Sequence, residues 1–156
     1  MDNEPGISED YLPMDPKRLL ERLHTALNTR DVENLVRCFQ VDYESFFPAE
    51  PERDYIGQER LRSEWEEVFA VIPDFQADLL HHTVDGPTIW SEWHWRAGEE
   101  LVQAGREGLN QAGVIIFGVE DGLIAWGRFY MLDVQPAGEG GSATGRAASG
   151  AAGQGR

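Results

Sequence analysis

The sequence predicts an α+β domain in which helices come first and one curved antiparallel sheet follows. Three observations predict it. Apolar residues recur at helical spacing through the first half, from Leu19 to Ile72. After Pro73 the apolar period changes to two, the repeat of a strand with one buried face. The later segments are joined by short turn sequences, Asp85-Gly86-Pro87 and Glu120-Asp121-Gly122, which suit hairpins in a single sheet.

The first helix is announced by Asp15-Pro16, an N-cap followed by proline at the first helical position, where a missing N–H costs nothing. Leu19, Leu20, Leu23, Ala26 and Leu27 form its apolar stripe, and His24 beside that stripe is expected at the surface. Asn28-Thr29-Arg30 breaks the pattern, and Asp31 caps a shorter helix carrying Val32, Leu35, Val36 and Phe39. Tyr43–Phe47 reads as a short strand closed by Pro48, and Ala49–Tyr55 as a loop rich in proline and charge. A third helix is expected from about Gln58 to Ile72, with Leu61, Trp65, Val68, Phe69 and Ile72 on one stripe and Pro73 as its stop. Helical spacing by itself explains Trp65 and Phe69 as core. Phe75, Ala77 and Leu79 then alternate with more polar neighbours, and Thr88–Trp95 is a tryptophan-rich strand. Gly98–Asn110 reads as loop, and Gln111–Val119 and Leu123–Leu132 complete the sheet.

The chain has 156 residues, 41% of them hydrophobic, enough for one domain with a real core. Its 28 acidic residues against 13 basic give a net charge of −15, which argues against nucleic acid or an anionic membrane surface as partner. A single cysteine, Cys38, excludes an internal disulfide; placed next to an apolar stripe with no histidine set to activate it, it reads as a packing thiol. No apolar run is long enough to span a bilayer, and the acidic start is unlike a secretory signal, so a soluble, cytoplasmic protein is expected. Residues 1–13 read as a flexible acidic leader and 14–135 as the folded domain. Residues 136–156, which hold 7 of the 17 glycines and no aliphatic side chain larger than alanine, read as a disordered tail.

Several short motifs occur in a telling order: Ala26-Leu27-Asn28-x-x-Asp31, Gly57, Ile72-Pro73-Asp74-Phe75, Ser91-Glu92-Trp93-His94-Trp95, Gly113-Val114, Asp121-Gly122-x-Ile124 and Gly127-Arg128-Phe129-Tyr130-Met131. In that order they resemble the SnoaL-like branch of the nuclear transport factor 2-like superfamily over about residues 14–134. The resemblance implies a cone-like roll, a curved antiparallel sheet packed on three N-terminal helices around a deep pocket, in chains that commonly form homodimers. Its members range from ketosteroid isomerases, polyketide cyclases, epoxide hydrolases and dehydratases to ligand-binding proteins, so fold leaves function open. Ketosteroid isomerase chemistry is excluded by ungapped overlay, which puts its base at Phe47, its tyrosine at Leu23 and its neutral acid near Ile115. The limonene-epoxide hydrolase pattern, arginine two residues before aspartate on a strand, is also missing: Gly98, Gly108 and Tyr130 stand where that aspartate would be.

The same overlay points Trp90, Glu92 and His94 into the cone and Ser91, Trp93 and Trp95 outward. It makes Phe47, Trp65, Phe69, Trp90, Ile115, Phe117, Phe129 and Met131 the walls of a pocket for a hydrophobic small molecule. Glu92 and His94 are then the candidate acid–base pair of a cofactor-free cyclase, isomerase or dehydratase. The alternative is a non-catalytic ligand-binding or dimeric assembly module, and a transport adaptor rests on the general fold alone. Arg128 and Tyr130 are expected on the outer face with Trp93, Trp95 and Trp126, forming a homodimer interface; a one-residue error in parity would make Arg128 and Tyr130 the pocket's polar groups instead. His81 and His82 point to opposite faces, and no metal or cofactor site is expected.

Overall fold

The computed structural model describes residues 15–105 and 108–134. The expected leader, 1–13, and tail, 136–156, lie outside the described residues. Helix α1 (Pro16–Thr29) begins as its sequence requires, with the Asp15 carboxylate accepting from the Arg18 N–H at 2.9 Å. It ends at Arg30, which adopts the left-handed conformation at φ 53°. The Arg30 guanidinium then donates to the carbonyl of Phe75 at 2.8 Å. Asn28 completes the join: its amide oxygen accepts from the Ala77 N–H at 2.6 Å and its amide nitrogen donates to the Ala77 carbonyl at 2.9 Å. One side chain thus occupies both backbone groups of a strand residue, as a neighbouring strand would.

Helix α2 (Val32–Val36), capped by Asp31, is shorter than its apolar stripe suggests. Phe39, expected on this helix, instead opens strand β1 (Phe39–Phe46). The last helical turn brings Cys38 against the sheet, where its carbonyl accepts from Ile124 at 2.8 Å, so the chain pairs rather than coils onward. A 3₁₀ turn (Pro51–Arg53) leads to a two-residue strand β2 (Tyr55–Ile56), within what reads in the sequence as loop and helix lead-in. Gly57, at φ 113°, then opens α3 (Gln58–Val71). Strands β3 (Gln76–Asp85) and β4 (Thr88–Ala97) form a hairpin, a short helix α4 (Glu99–Gln103) occupies part of the expected loop, and β5 (Leu109–Glu120) and β6 (Leu123–Asp133) form a second hairpin. Asp121 and Gly122 both take positive φ, the geometry a two-residue turn needs to match strand twist.

The six strands lie in the order β2-β1-β6-β5-β4-β3. Every pairing is antiparallel except β1 with β6, which is parallel, so the sheet is the expected antiparallel one with a single parallel join. Register shifts at Leu79/His81 in β3 and at Gly118/Val119 in β5 bend the sheet. Helix α1 lies on β3 and β4, and α3 lies beside β1 and β2, so both cover the same, inner face.

The core occupies that inner face, and its composition overturns the expected parity of β4. Ile89, Ser91, Trp93, Trp95 and Ala97 are buried, whereas Trp90 is 46% exposed and Glu92 lies in solvent. Burying the row that carries Trp93 and Trp95 removes much more apolar area from water, and it spares the desolvation of a carboxylate and an imidazole. The parities of β5 and β6 are as expected: Ile115, Phe117 and Gly127 are buried, while Arg128 and Tyr130 are exposed on the outer face. His24, expected at the surface, is half-buried; its Nε2 lies 3.0 Å from the Ala77 carbonyl and its ring meets Trp93 edge-on. Cys38 is fully buried, which pushes its thiol up to about 12.

Candidate functional site

Strand register sorts the inner face into transverse rows. One row runs Ile89, Phe117, Gly127, Ser45, Tyr55; the next runs Ser91, Ile115, Phe129. The third is Trp93, Gly113, Met131, and the fourth Trp95, Gln111, Asp133. Helix α1 closes the β3–β4 side of this floor. On β5 and β6 the cover is incomplete: Gln111, Gly113, Phe129 and Met131 are half-buried and Asp133 is exposed although they share a face with the core. Phe47, Tyr55, Trp65 and Phe69 are half-buried as well, and they mark where the inner face stays reachable from solvent.

Two aromatic groups flank this opening. Trp65 and Phe69 of α3 pack with Phe75 and Trp95 at ring separations of 5.4–5.8 Å. Phe47 stacks on Phe129 at 5.1 Å, and Phe129 meets Phe117 edge-on at 6.4 Å. Of the eight residues expected to line a pocket, Phe47, Trp65, Phe69, Ile115, Phe117, Phe129 and Met131 lie on the inner side, with Ile115 and Phe117 as buried floor. Trp90 does not; it stands on the outer face.

The inner face is polar at a few points only. The Ser91 hydroxyl donates to the Ile115 carbonyl at 2.7 Å and accepts from the Trp93 indole N–H at 2.8 Å, a satisfied buried pair. At the open end, Gln111 donates to the Asp133 carboxylate at 3.1 Å. Among the described residues, three buried side-chain atoms have no well-formed hydrogen bond: the Tyr43 hydroxyl, the Ser45 hydroxyl and the Trp95 indole N–H. Burial pushes the Tyr43 phenol far above its ordinary value and Tyr55 up to about 12; hydrogen bonding with the Ser45 hydroxyl, within reach of both, works against each shift. Both phenols are therefore neutral donors at any physiological pH.

Glu92 and His94 share a face, as two residues apart on a strand must, but it is the outer face and not the interior. His94 Nε2 lies 2.7 Å from Asn110 Oδ1, and Glu92 borders a shallow outer groove of about 230 Å³ with His81, His82, Trp90 and Val114. That placement removes the geometric basis for an interior acid–base pair. Arg128 and Tyr130 are likewise outside, so they are not the pocket's polar groups. Among the described residues no group of three or more His, Cys, Asp or Glu side chains converges as metal ligands would. Sequence reasoning missed Tyr43, Ser45, Tyr55, Trp95, Gln111 and Asp133. The signal for two of them was present, since Tyr43 and Ser45 share strand parity with Phe47, itself expected to face inward.

The profile of a SnoaL-like domain matches residues 20–126. No curated protein sequence matches the chain. Among solved structures, the chain is similar to a candidate ketosteroid isomerase from Kribbella flavida, at 18% identity over 79% of this chain and 82% of that one, with a TM-score of 0.62. It is also similar to IdmH, a candidate polyketide cyclase from Streptomyces antibioticus, at 18% identity over 75% and 91% of the two chains, TM-score 0.63. An LEH-like epoxide hydrolase from M. tuberculosis matches at 16% identity over 71% and 77% of the two chains, TM-score 0.60. At these identities the likeness is one of fold.

Proposed function

The chain belongs to the SnoaL-like domain family, and on that footing we propose that it is a small-molecule-binding protein that holds a hydrophobic ligand against the inner face of its sheet. The observation that carries this reading is the half-buried apolar set Phe47, Trp65, Phe69, Phe129 and Met131, left uncovered on the face the helices otherwise close. A few fixed polar atoms in a mostly aromatic surface suit orientation of an apolar guest. Binding without chemistry is favoured over acid–base catalysis because Glu92 and His94 face away. The catalytic alternative keeps one observation: on the inner face of β4–β6, Asp133 stands as a carboxylate at the open end, held by Gln111. The test is titration with N-phenyl-1-naphthylamine, an uncharged probe that brightens in apolar surroundings. Saturable one-to-one binding is expected, weakened at least tenfold by Met131→Trp and unaffected by Trp90→Ala. Absence of saturation, or loss of binding on Trp90→Ala alone, overturns the reading.

We propose further that the protein is a homodimer through its outer sheet face. Trp93 and Trp95, expected in that interface, are interior, so the surface rests on other residues. Trp90, Ile116 and Arg128 form one row and Glu92, Val114 and Tyr130 the next, with Trp90 46%, Tyr130 41% and Leu132 64% exposed. Covering large aromatics is favourable at roughly 25 cal/mol per Å², and adjacent rows carrying Arg128 and Glu92 allow complementary charge across a two-fold axis. Sedimentation of the full chain is expected to show a dimer at micromolar concentration that Trp90→Glu dissociates; a monomer before substitution refutes the proposal. A cytoplasmic setting is the compartment we assign, consistent with one buried, unpaired cysteine.

A further inference from the structure

Tyr43, Ser45 and Tyr55 converge at one place on the inner face. Tyr43 and Ser45 are two apart on β1 and so share a side, and Tyr55 pairs directly opposite Ser45 on β2. On its other flank Ser45 pairs with Gly127 of β6. A Cβ at Gly127 would stand 2.9 Å from the Tyr43 hydroxyl oxygen, 3.2 Å from the Phe129 ring and 3.4 Å from the Phe117 ring. The missing side chain is what lets a phenol and two phenyl rings gather over this strand. The result is a polar notch in an aromatic floor, with the Phe47–Phe129 stack beside it.

Folding normally gives every buried hydroxyl a partner. Here two adjacent ones, both fully buried, make no well-formed bond and have only the hydroxyls of their own cluster within reach. Their neighbour Ser91, on the same face, is fully bonded. We infer that Tyr43, Ser45 and Tyr55 form the receiving end of the ligand site, donating hydrogen bonds to an uncharged carbonyl oxygen of a flat apolar molecule, an inference that rests on the ligand-binding reading above. The flat body lies along Phe129 and Phe47, whose rings are half-buried where Tyr43 and Ser45 are fully buried. The surroundings select against charge. Arg53 stacks over Phe47 at 4.2 Å and Arg60 over Tyr55 at 5.3 Å, but each already pairs at 2.9 Å with its own carboxylate, Glu50 and Glu64. Of the two cations described at this rim neither is therefore spare, and a buried anion without one is strongly disfavoured.

The test compares 2-acetylnaphthalene with 2-ethylnaphthalene, which share size and ring system and differ in the carbonyl, by quenching of tryptophan fluorescence in the full-length protein. A site built to donate hydrogen bonds discriminates strongly against a guest that cannot accept them. The ketone is expected to bind at least tenfold tighter to the unmodified protein. Tyr43→Phe and Ser45→Ala, each checked for native circular dichroism, are expected to bring the two affinities within about twofold while leaving that of the hydrocarbon unchanged. Saturable binding of both probes with no ketone preference, or a preference that survives the double substitution, overturns the inference and leaves the pocket reading standing. Saturable binding of neither probe overturns both.

Discussion

Replacing Tyr43 by phenylalanine should stabilise the protein, the reverse of the usual effect of trimming a core residue. The side chain is fully buried and its hydroxyl makes no well-formed bond, with only the Ser45 hydroxyl within reach, so folding exchanges the hydroxyl's bonds to water for one poor contact. An unsatisfied buried polar group costs about 1–3 kcal/mol. Removing one oxygen forfeits its dispersion contacts and leaves a gap smaller than a methyl group, a loss below about 1 kcal/mol. The expected net gain is about 1 kcal/mol, or a rise in Tm of about 4 °C for a domain of this size. Ser91→Ala is the control. Its hydroxyl serves the Ile115 carbonyl and the Trp93 indole together; the carbonyl sits in a strand paired on both sides, but the indole N–H is left stranded, so removal should cost about 1–3 kcal/mol. Both differences can be read from equilibrium urea unfolding followed by tryptophan fluorescence, at any pH from 6 to about 9, because burial keeps the Tyr43 phenol neutral throughout. A loss of 1 kcal/mol or more on Tyr43→Phe, with an unchanged m value, would show that the hydroxyl is satisfied in solution and would refute the reasoning behind the notch.

Asn28→Ala should cost about 2 kcal/mol in the same assay, since it removes both bonds that tie the end of α1 to Ala77 of β3; an effect under about 0.5 kcal/mol counts against Asn28 as the strut. The Cys38 thiol, pushed up to about 12 by burial, should resist a disulfide reagent at pH 8 in the native protein and react fully once urea unfolds it; rapid native labelling contradicts its placement. The Gly98 N–H, with that of Glu99, holds the Asp74 carboxyl below its ordinary 3.8. Its contribution is thus complete above that value and lost as pH falls through the lower folded one, so Asp74→Asn should make the acid loss of stability shallower below about pH 4, and parallel curves refute the assignment. Glu92→Gln and His94→Phe should leave the affinity for 2-acetylnaphthalene within about twofold of the unmodified protein, because both side chains lie on the face away from the crevice; a tenfold loss from either restores them to the site.

Local physics written in the chain determined the elements and most of their ends. Asp15-Pro16 starts α1, Asp31 caps α2, Pro73 follows the end of α3, and Asp121-Gly122 turns the last hairpin, each through interactions within a few residues. Periodicity likewise placed Ile115, Phe117, Phe129 and Met131 on the inner side. Tertiary structure decided what depends on distant partners. The two-residue strand β2 exists only because Ser45 and Glu44 offer it an edge, and Phe39 leaves its helical stripe because β6 binds the chain at Cys38. The parity of β4 is the clearest case. Trp90, Glu92 and His94 alternate with Ser91, Trp93 and Trp95 in a segment where either set could face inward, and a slip of one residue exchanges them all. The choice was made by Leu19, Leu23, Phe75 and the other side chains waiting across the core, which bury two indoles more favourably than one indole with two titratable groups. The notch at Tyr43, Ser45 and Tyr55 is tertiary for the same reason: it is assembled from β1, β2 and β6, and the glycine that makes room for it lies more than eighty residues from the hydroxyl it accommodates.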